Sequence, residues 1–256
     1  MVVQGGTRRK NEGGAEAALQ ADAQGTLFWL FAGTGVAAGL ATWLLSLGWL
    51  FVVSALLPLA LIYTLALRGL DDHPHARFGK ANVITALRAA MTCLVAAALL
   101  CLDGLADQAP AMWGLAAFVL VALALDGVDG ALARRSGLDS AFGARFDMEV
   151  DAFLILVLSA GATLLGKAGL WVLLIGLLRY AFVLAGWLDP RLTQPLFPSF
   201  RRKLVCVVQI LCLCLLLLPV VVPPLSTLIA AAALVSLLWS FARDTLFLLR
   251  QAARSV

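Results

Sequence analysis

The amino-acid sequence predicts an all-α fold, a polytopic bundle of membrane helices, from its composition and its two longest apolar runs. Of the 256 residues, 62% are hydrophobic and 13% are charged, and the mean hydropathy is +0.96. A soluble domain would carry about a quarter charged residues. Residues 23–67 and 204–242 contain no charged side chain. Each run is about twice the ~20 residues that one crossing needs, so each predicts two membrane helices.

Eight helices are expected along the chain, because the apolar runs are broken at glycine, proline or charged positions. The first long run is broken at Ser46 and Gly48, and the last is broken at Pro223 and Pro224. We expect the helices at 26–46, 49–68, 82–103, 110–134, 143–166, 168–187, 204–222 and 225–249.

The remaining segments are expected outside the membrane core. Residues 69–81 and 188–203 are long connections that we expect to lie along the membrane interface. Residues 1–25 are rich in Gly and Ala and are charged, which predicts a flexible cytoplasmic tail. That tail does not resemble a signal peptide, because the apolar run begins late and leads into a second span. Residues 250–256 form a second, short tail.

The basic residues indicate the orientation of the helices. An even number of spans places both termini on one side. The opposite loops carry Lys167 with Asp103 and Asp107. By the positive-inside rule, both termini are expected in the cytoplasm and the protein in the cytoplasmic (inner) membrane. The basic residues on the side of the termini are Arg8, Arg9, Lys10, Arg68, Arg77, Lys80, Arg134, Arg135, Arg145, Arg191, Arg201, Arg202, Lys203, Arg250 and Arg254.

Charge and cysteine usage argue against several other classes of protein. The net charge of +4 is small and is spread over the loops, so a nucleic-acid partner is not expected. The five cysteines lie inside apolar spans without the spacing of a metal site. They are expected to be small buried side chains rather than a disulfide framework.

A regular set of acidic residues interrupts the apolar sequence. The segment DGVDGALARRSGLDSAFGARFDMEVD runs from Asp126 to Asp151 between two predicted spans. At 100° per residue, Asp126 and Asp129 share one side of the first helix, and Asp147 and Asp151 form a stripe on the second. A hairpin with its hinge at 135–142 would bring these four carboxylates together at matched depth, just inside the cytoplasmic interface.

These four carboxylates predict a site for divalent metal and diphosphate. Without cations they would repel each other strongly. Ligands that are all oxygen favour Mg²⁺, Mn²⁺ or Ca²⁺, and no His or Cys is near enough in the motif to favour zinc. Gly130, Ala133 and Gly143 lie on the same helix faces and leave room for a ligand. Arg134 offers a planar fork that suits phosphate.

The complete spacing resembles the signature of the CDP-alcohol phosphotransferases (CDP-alcohol phosphatidyltransferases), and every motif position is present. That resemblance implies a six-helix catalytic membrane core over 82–249, with two additional transmembrane helices over 26–68 ahead of it. The residues that carry it are Asp126-x2-Asp129-Gly130-x2-Ala133-Arg134-x8-Gly143-x3-Asp147-x3-Asp151.

The resemblance also implies a role for each motif position. Asp126, Asp129 and Asp147 would bind two metal ions, Mg²⁺ or Mn²⁺, and through them the diphosphate of a CDP-linked substrate. Asp151 would complete the metal site and act as the catalytic general base on the acceptor hydroxyl. The residues that would shape and contact the CDP moiety are Gly130, Ala133, Arg134 and Gly143.

The expected activity is a metal-dependent transfer of a phosphatidyl-type (substituted phosphate) group in phospholipid biosynthesis. CDP-diacylglycerol is the expected donor, CMP is released, and the active site faces the cytoplasm. The acceptor stays open between glycerol 3-phosphate, an inositol phosphate, serine and another polyol. Transfer from CDP-choline or CDP-ethanolamine onto diacylglycerol would use the same motif. A homodimer is usual in families that resemble this one, so we expect one here.

Two functions of other classes also use clustered acids in a membrane. Membrane prenyltransferases bind diphosphate through Asp-rich motifs, but they place those motifs on separate helix pairs, and only one such cluster occurs here. A divalent-cation transporter would need a continuous path across the bilayer. The acids of the motif stop roughly 12 Å from the hinge, which disfavours such a path.

A weaker signal opens the third predicted span. Asn82-Val83-Ile84-Thr85-x2-Arg88 resembles a Pro-Asn-x-Leu-Thr-x2-Arg segment common in the family, with Ala81 where proline is frequent. We expect Asn82 and Thr85 to line the nucleotide pocket, and a helix cap at Asn82 is the alternative. No firm role is assigned to Arg88.

The remaining candidate residues are cations near the predicted membrane surface or within it. Arg179 lies inside the sixth span, where it could bind an acceptor or lipid phosphate or form a structural ion pair. Arg201, Arg202 and Lys203 precede the seventh span. They could bind the same phosphate groups or serve as ordinary positive-inside anchors.

Overall fold

The computed structural model of the chain describes the backbone of residues 4–70, 73–101, 109–136, 140–189 and 199–254. Its side chains are described over 14, 16–70, 73–101, 109–127, 140–189 and 199–251. Within these residues every regular element is a helix and no strand occurs, which confirms the all-α prediction.

The described residues form eight α-helices and one short 3₁₀ turn, Leu170–Val172. Apart from the start of the first helix, their ends lie within about five residues of the predicted ones, because Gly, Pro and charged positions break the apolar runs. The helices are α1 Gln4–Leu45, α2 Trp49–Arg68, α3 Lys80–Leu100, α4 Ala109–Ser136, α5 Ala141–Leu164, α6 Leu173–Leu188, α7 Phe200–Leu217 and α8 Leu225–Arg254.

The structure differs from the sequence prediction at the N-terminus. Residues 4–25, expected in a flexible tail, belong to helix α1. Ala, Glu, Leu and Gln, which favour helix, dominate the second half of this segment. Leu19 and Ala23 are buried, and the Asp22 carboxylate accepts a hydrogen bond from the backbone N–H of Phe78 at 2.9 Å. Tertiary contacts thus hold residues 19–23, at the end of this segment.

Six helical stretches in the described part of the chain are long and apolar enough to cross a membrane, so this is a multi-pass membrane protein. Helices α5 and α7 are not among them, because four charged residues lie within 145–151 of α5 and three lie in the first turn of α7. That these two helices also cross the bilayer remains a prediction. The six stretches are Glu16–Leu45, Trp49–Arg68, Lys80–Leu100, Ala109–Gly127, Leu170–Leu188 and Leu225–Gln251.

The chain divides into two compact units, and helices α4 and α5 each continue from one unit into the other. The first unit is Met1–Cys101 with Ala124–Val150. In it, Ala38 of α1, Phe51 and Ala55 of α2 and Ala97 of α3 form a buried apolar cluster.

The second unit is Leu102–Leu123 with Asp151–Val256. Gly176 of α6 lies so close to α5 that an added Cβ would be 2.5 Å from the Cα of Leu156. Buried Gln209 of α7 donates from Nε2 to the carbonyl of Ala233 in α8 at 2.7 Å. Backbone packing and a buried amide therefore join the helices of this unit.

Candidate active site

The start of α5, which carries part of the acidic motif, is fixed by a chain of hydrogen bonds. Ser140 precedes the helix, and its Oγ accepts the N–H of Gly143 at 3.0 Å, as an N-cap does. His73 Nε2 donates to the carbonyl of Arg77 at 2.9 Å. His73 Nδ1 is therefore left to accept from the Ser140 hydroxyl, 3.0 Å away. The segment that follows α2 thus positions the first turn of α5.

Gly143 permits helices α3 and α5 to approach closely. A Cβ at position 143 would lie 2.7 Å from Oδ1 of Asn82 and 3.2 Å from Oγ of Ser140. Asn82 is buried, and its Nδ2 donates to the carbonyl of Phe78 at 2.6 Å. The close packing of α3 against α5 therefore explains why a glycine occupies position 143 of the motif.

Three of the four motif carboxylates come together in the structure. Asp126 lies on α4, and Asp147 and Asp151 lie one turn apart on α5. One carboxylate oxygen from each of the three lies within 4.8 Å of the others, and all three residues are half-buried. Such spacing suits three ligands of one cation.

Arg88 of α3 pairs with two of these carboxylates. Its Nη1 lies 2.5 Å from Oδ1 of Asp147 and 3.0 Å from Oδ1 of Asp126. Its side chain is only 1% exposed, so the guanidinium is buried against the acids. The sequence assigned this residue no firm role. A signal was present, because Arg88 is the only charged residue of α3 after Lys80, and a charge in an apolar helix is expected to have a partner.

Asp151 has a further neighbour on another helix. The Cys206 thiol of α7 donates to Oδ2 of Asp151, with a sulfur–oxygen distance of 3.5 Å. A thiol is a weak donor, so this contact orients the carboxylate only modestly. Motif spacing could not have identified Cys206, since it lies 55 residues away in sequence.

Asn82 and Thr85 occupy buried positions in α3, with side chains 6% and 3% exposed. The Oγ1 of Thr85 donates to the carbonyl of Ala81 at 3.2 Å. The N-cap of α3 is Gly79, with a φ of 86°, and Asn82 lies within the first turn. The alternative of a helix cap at Asn82 is therefore wrong.

Four of the predicted site residues lie outside the described side chains: Asp129, Gly130, Ala133 and Arg134. The backbone at these positions is helical, in the last turns of α4.

The other predicted cations lie on α6 and α7. Arg179 is half-buried in the middle of α6. Arg201 forms an ion pair with Asp244 of α8 and donates to Oγ of Ser240 at 2.6 Å. Arg202 is half-buried and Lys203 is exposed in the first turn of α7.

The donor set of the acid cluster fits a hard divalent cation. Its described ligand atoms are carboxylate oxygens, which Mg²⁺ and Mn²⁺ prefer. Arg88 contacts two of these three carboxylates, so a cation already lies beside the group of ligands that could hold a metal ion.

Comparison with known protein families identifies the central part of the chain. Residues 78–239, well over half of the sequence, match the family model described as CDP-alcohol phosphatidyltransferase. The match begins at the residue before Gly79, the N-cap of α3, and ends in α8, so it contains the acid cluster and Arg88 and leaves α1 and α2 outside. No curated protein and no solved structure matches the chain significantly.

Proposed function

The chain belongs to the CDP-alcohol phosphatidyltransferase family, and we propose that it moves a phosphatidyl group from CDP-diacylglycerol to a small alcohol. Members of the family transfer a phosphate-linked group from a CDP-alcohol in lipid synthesis, so the protein is a transferase of that kind. The finer proposal adds the lipid donor, the release of CMP, and an acceptor that is glycerol 3-phosphate, an inositol phosphate, serine or another polyol.

The observation that carries this proposal is the cluster of Asp126, Asp147 and Asp151, with oxygens within 4.8 Å of one another. We propose that these residues, together with Asp129, hold two Mg²⁺ or Mn²⁺ ions. Such ions, when bound, would neutralise the diphosphate and stabilise both the attacking and the leaving oxygen. Phosphoryl-type transfer depends mainly on alignment and charge neutralisation, which a rigid carboxylate cluster supplies.

Asp151 is the proposed general base. It would accept the proton of the acceptor hydroxyl as that oxygen forms a bond to the phosphorus that carries the diacylglycerol. The bond between this phosphorus and the bridging oxygen breaks, and CMP leaves with the electron pair. The products are a phosphodiester lipid, CMP and one proton. The Cys206 thiol, 3.5 Å from Oδ2 of Asp151, supports a defined orientation for this carboxylate.

The proposed nucleotide site uses the small residues and the arginine of the motif. Gly130, Ala133 and Arg134 would contact the CDP moiety. Asn82 and Thr85 are buried, and Asn82 packs against Gly143, so we propose that these three residues shape the pocket by setting the approach of α3 to α5.

A phosphate of the acceptor or of a lipid would be bound by cations outside the motif. We propose Arg179, Arg202 and Lys203 for this role. Arg201 is already paired with Asp244 and donates to Ser240, so we propose that it anchors the start of α7 to α8 and does not bind the phosphate.

The proposed setting is the inner membrane, with both termini and the active site at the cytoplasmic face. The lipid chains would then remain in the bilayer while the nucleotide and a water-soluble acceptor enter from the cytoplasm. A homodimer is the proposed assembly. Labelling of single cysteines introduced at the termini of a cysteine-free variant, in sealed vesicles, would test the orientation.

The decisive experiment supplies radiolabelled CDP-diacylglycerol, Mn²⁺ and a panel of alcohols to the purified protein in nanodiscs. One alcohol should yield a labelled phosphodiester lipid together with an equal amount of CMP. Asp151→Asn should abolish CMP release while part of the binding of CDP-diacylglycerol survives. Glu149→Gln removes a carboxylate of the same helix outside the triad and should retain activity.

Other outcomes would overturn the proposal. Full turnover by Asp151→Asn would remove the proposed base. Product formation only from CDP-choline or CDP-ethanolamine with diacylglycerol would reverse the assignment of donor and acceptor. Mn²⁺ flux into liposomes without any CMP release would favour a transporter.

A further inference from the structure

Arg88 occupies a position that is energetically costly for a cation. It lies in the middle of the apolar helix α3, with 1% of its side chain exposed. A buried guanidinium is tolerated only when carboxylates and hydrogen bonds compensate for its lost hydration. Here one nitrogen, Nη1, contacts one oxygen of Asp147 at 2.5 Å and one oxygen of Asp126 at 3.0 Å.

The same two carboxylates belong to the candidate metal site. Together with Asp151 they form the group whose oxygens lie within 4.8 Å of one another. Arg88 thus contacts two of the three carboxylates that could hold the ion. Its guanidinium and a divalent ion would therefore be drawn to the same oxygens.

We propose that Arg88 is the resident counter-cation of the acid cluster. It holds Asp126 and Asp147 together before a divalent ion binds, and it opposes the binding of that ion through its own charge. This inference rests on the metal site of the proposed function. It makes Arg88 a positioning residue, because it acts on the carboxylates and not on the reacting atoms.

Two consequences of opposite sign follow for Arg88→Gln. The metal-free protein becomes less stable, because Asp126 and Asp147 lose the cation that pairs with both of them. Metal binding becomes tighter, because a positive charge close to the ligands has been removed. An arginine that only fills space and bonds to its neighbours would give the first effect without the second.

The experiment compares wild type, Arg88→Gln, Arg88→Lys and Arg201→Gln in nanodiscs at one fixed pH. Apparent Tm is measured in EDTA and in saturating Mn²⁺, and Kd for Mn²⁺ is measured by electron paramagnetic resonance titration. Arg88→Gln should lower the metal-free Tm by about 10 °C. It should tighten Kd by about tenfold, and Mn²⁺ should therefore raise its Tm more than that of wild type.

The two other variants serve as controls. Arg88→Lys retains the positive charge on a single nitrogen. Its Kd for Mn²⁺ should stay within about threefold of wild type, because metal binding is opposed by the charge of the side chain and not by the shape of the guanidinium. Arg201→Gln breaks a different ion pair, with Asp244. It should lower Tm without changing Kd for Mn²⁺.

A Kd in Arg88→Gln equal to or weaker than that of wild type would overturn the inference. Should Arg88→Gln fail to fold even in Mn²⁺, the charge-balanced double variant Arg88→Gln/Asp126→Asn decides. Recovery of folded protein supports a charge role, and continued failure indicates packing and overturns the inference.

Failure of this inference is distinguishable from failure of the proposed function. If wild type binds Mn²⁺ and releases CMP while Arg88→Gln has an unchanged Kd, only the role of Arg88 is wrong. If wild type neither binds Mn²⁺ nor releases CMP, the metal site and the counter-cation are both rejected.

Discussion

Among the described residues, Arg88 and Arg201 both form ion pairs with carboxylates, and the two arginines differ in their surroundings. Arg88 is 1% exposed and meets two acids, Asp126 and Asp147. Arg201 is 23% exposed and pairs with one acid, Asp244, in an arrangement completed by a neighbouring serine hydroxyl. Arg88 contacts two carboxylates, whereas Arg201 and Asp244 form a pair of equal and opposite charges.

The difference separates a binding site from a structural contact. A balanced ion pair satisfies its own charges and needs nothing further, and Arg201 also lies 5.5 Å from the ring centre of Trp239. An acid cluster with one buried arginine still attracts a cation. The count of charges, rather than the presence of a salt bridge, therefore points to the functional region.

The largest expected effect comes from removing one acid at each arginine. Asp147→Asn removes a partner of Arg88 and a proposed metal ligand, so CMP release should fall about 10³-fold or more. Asp244→Asn breaks the Arg201 pair and should reduce stability while turnover stays within about threefold. CMP release and apparent Tm, measured for both variants at saturating Mn²⁺, compare the two sites directly.

The comparison would fail if the two variants behaved alike. Equal losses of turnover would mean that the charge balance does not separate the sites. Turnover by Asp147→Asn near that of wild type would remove this residue from the metal site.

A second pair of variants tests how close packing supports each region. Gly143→Ala places a Cβ 2.7 Å from Oδ1 of Asn82, which is the end of a side chain that is able to move. Gly176→Ala places a Cβ 2.5 Å from the Cα of Leu156, a backbone atom that cannot move without its helix. Gly143→Ala should therefore lower CMP release about tenfold or more with a loss of stability of about 1 kcal/mol. Gly176→Ala should lower the free energy of unfolding by about 3 kcal/mol.

The measurements are kcat for CMP release and apparent Tm for each glycine variant. Gly33→Ala, in α1 with open space around its Cβ position, is the matched control and should change neither value. A Gly143→Ala enzyme with unaltered turnover would show that the approach of α3 to α5 does not affect the site.

Sequence alone located most of the helices and three members of the acid cluster. Helix ends follow from local signals, and the spacing of Asp126, Asp147 and Asp151 follows from helical geometry, so neither needs knowledge of tertiary contacts. The partners of Arg88 could not be predicted in this way. They depend on which face of α3 packs against α4 and α5, and that is decided by side chains far apart in sequence.

Two further features depend on residues far apart in sequence. Residues 4–25 lie in helix α1, where Leu19 and Ala23 are buried and the Asp22 carboxylate accepts a hydrogen bond from the backbone of the distant Phe78. The closeness of Asn82 and Gly143 likewise depends on α3 beginning after Gly79, whose φ of 86° suits glycine. Neither contact is contained in the local sequence pattern.

The buried cation Lys167 extends the comparison to a charge whose partners, among the described residues, are backbone carbonyls. Its Nζ donates to the carbonyls of Leu218 and Val221, at 2.9 and 2.8 Å. Burial lowers the pKa of Lys167 from its ordinary value. Between that lowered pKa and the ordinary one, the unfolded chain binds more protons than the folded chain, so this residue makes stability rise with pH in that window.

Lys167→Met should remove the rise of stability with pH. It should also leave two carbonyls without their donor, which lowers the free energy of unfolding by about 1–3 kcal/mol. Apparent Tm is measured from pH 8 to pH 10.5 for wild type, Lys167→Met and Lys80→Met, an exposed lysine that serves as control. A wild-type curve parallel to that of Lys167→Met would show that the proton affinity of this amine is the same in the folded and unfolded chains.

The smallest expected effect concerns Cys206, which touches the third acid of the cluster. Its thiol donates to Oδ2 of Asp151 at 3.5 Å, a weak hydrogen bond. Cys206→Ala removes the donor and should lower kcat for CMP release about twofold, since a bond of this kind contributes on the order of 0.5 kcal/mol. Cys206→Ser retains a donor and should stay closer to wild type. Equal kcat values for the Ala and Ser variants would mean that the side chain only fills space beside Asp151 and that its hydrogen bond does not orient the base.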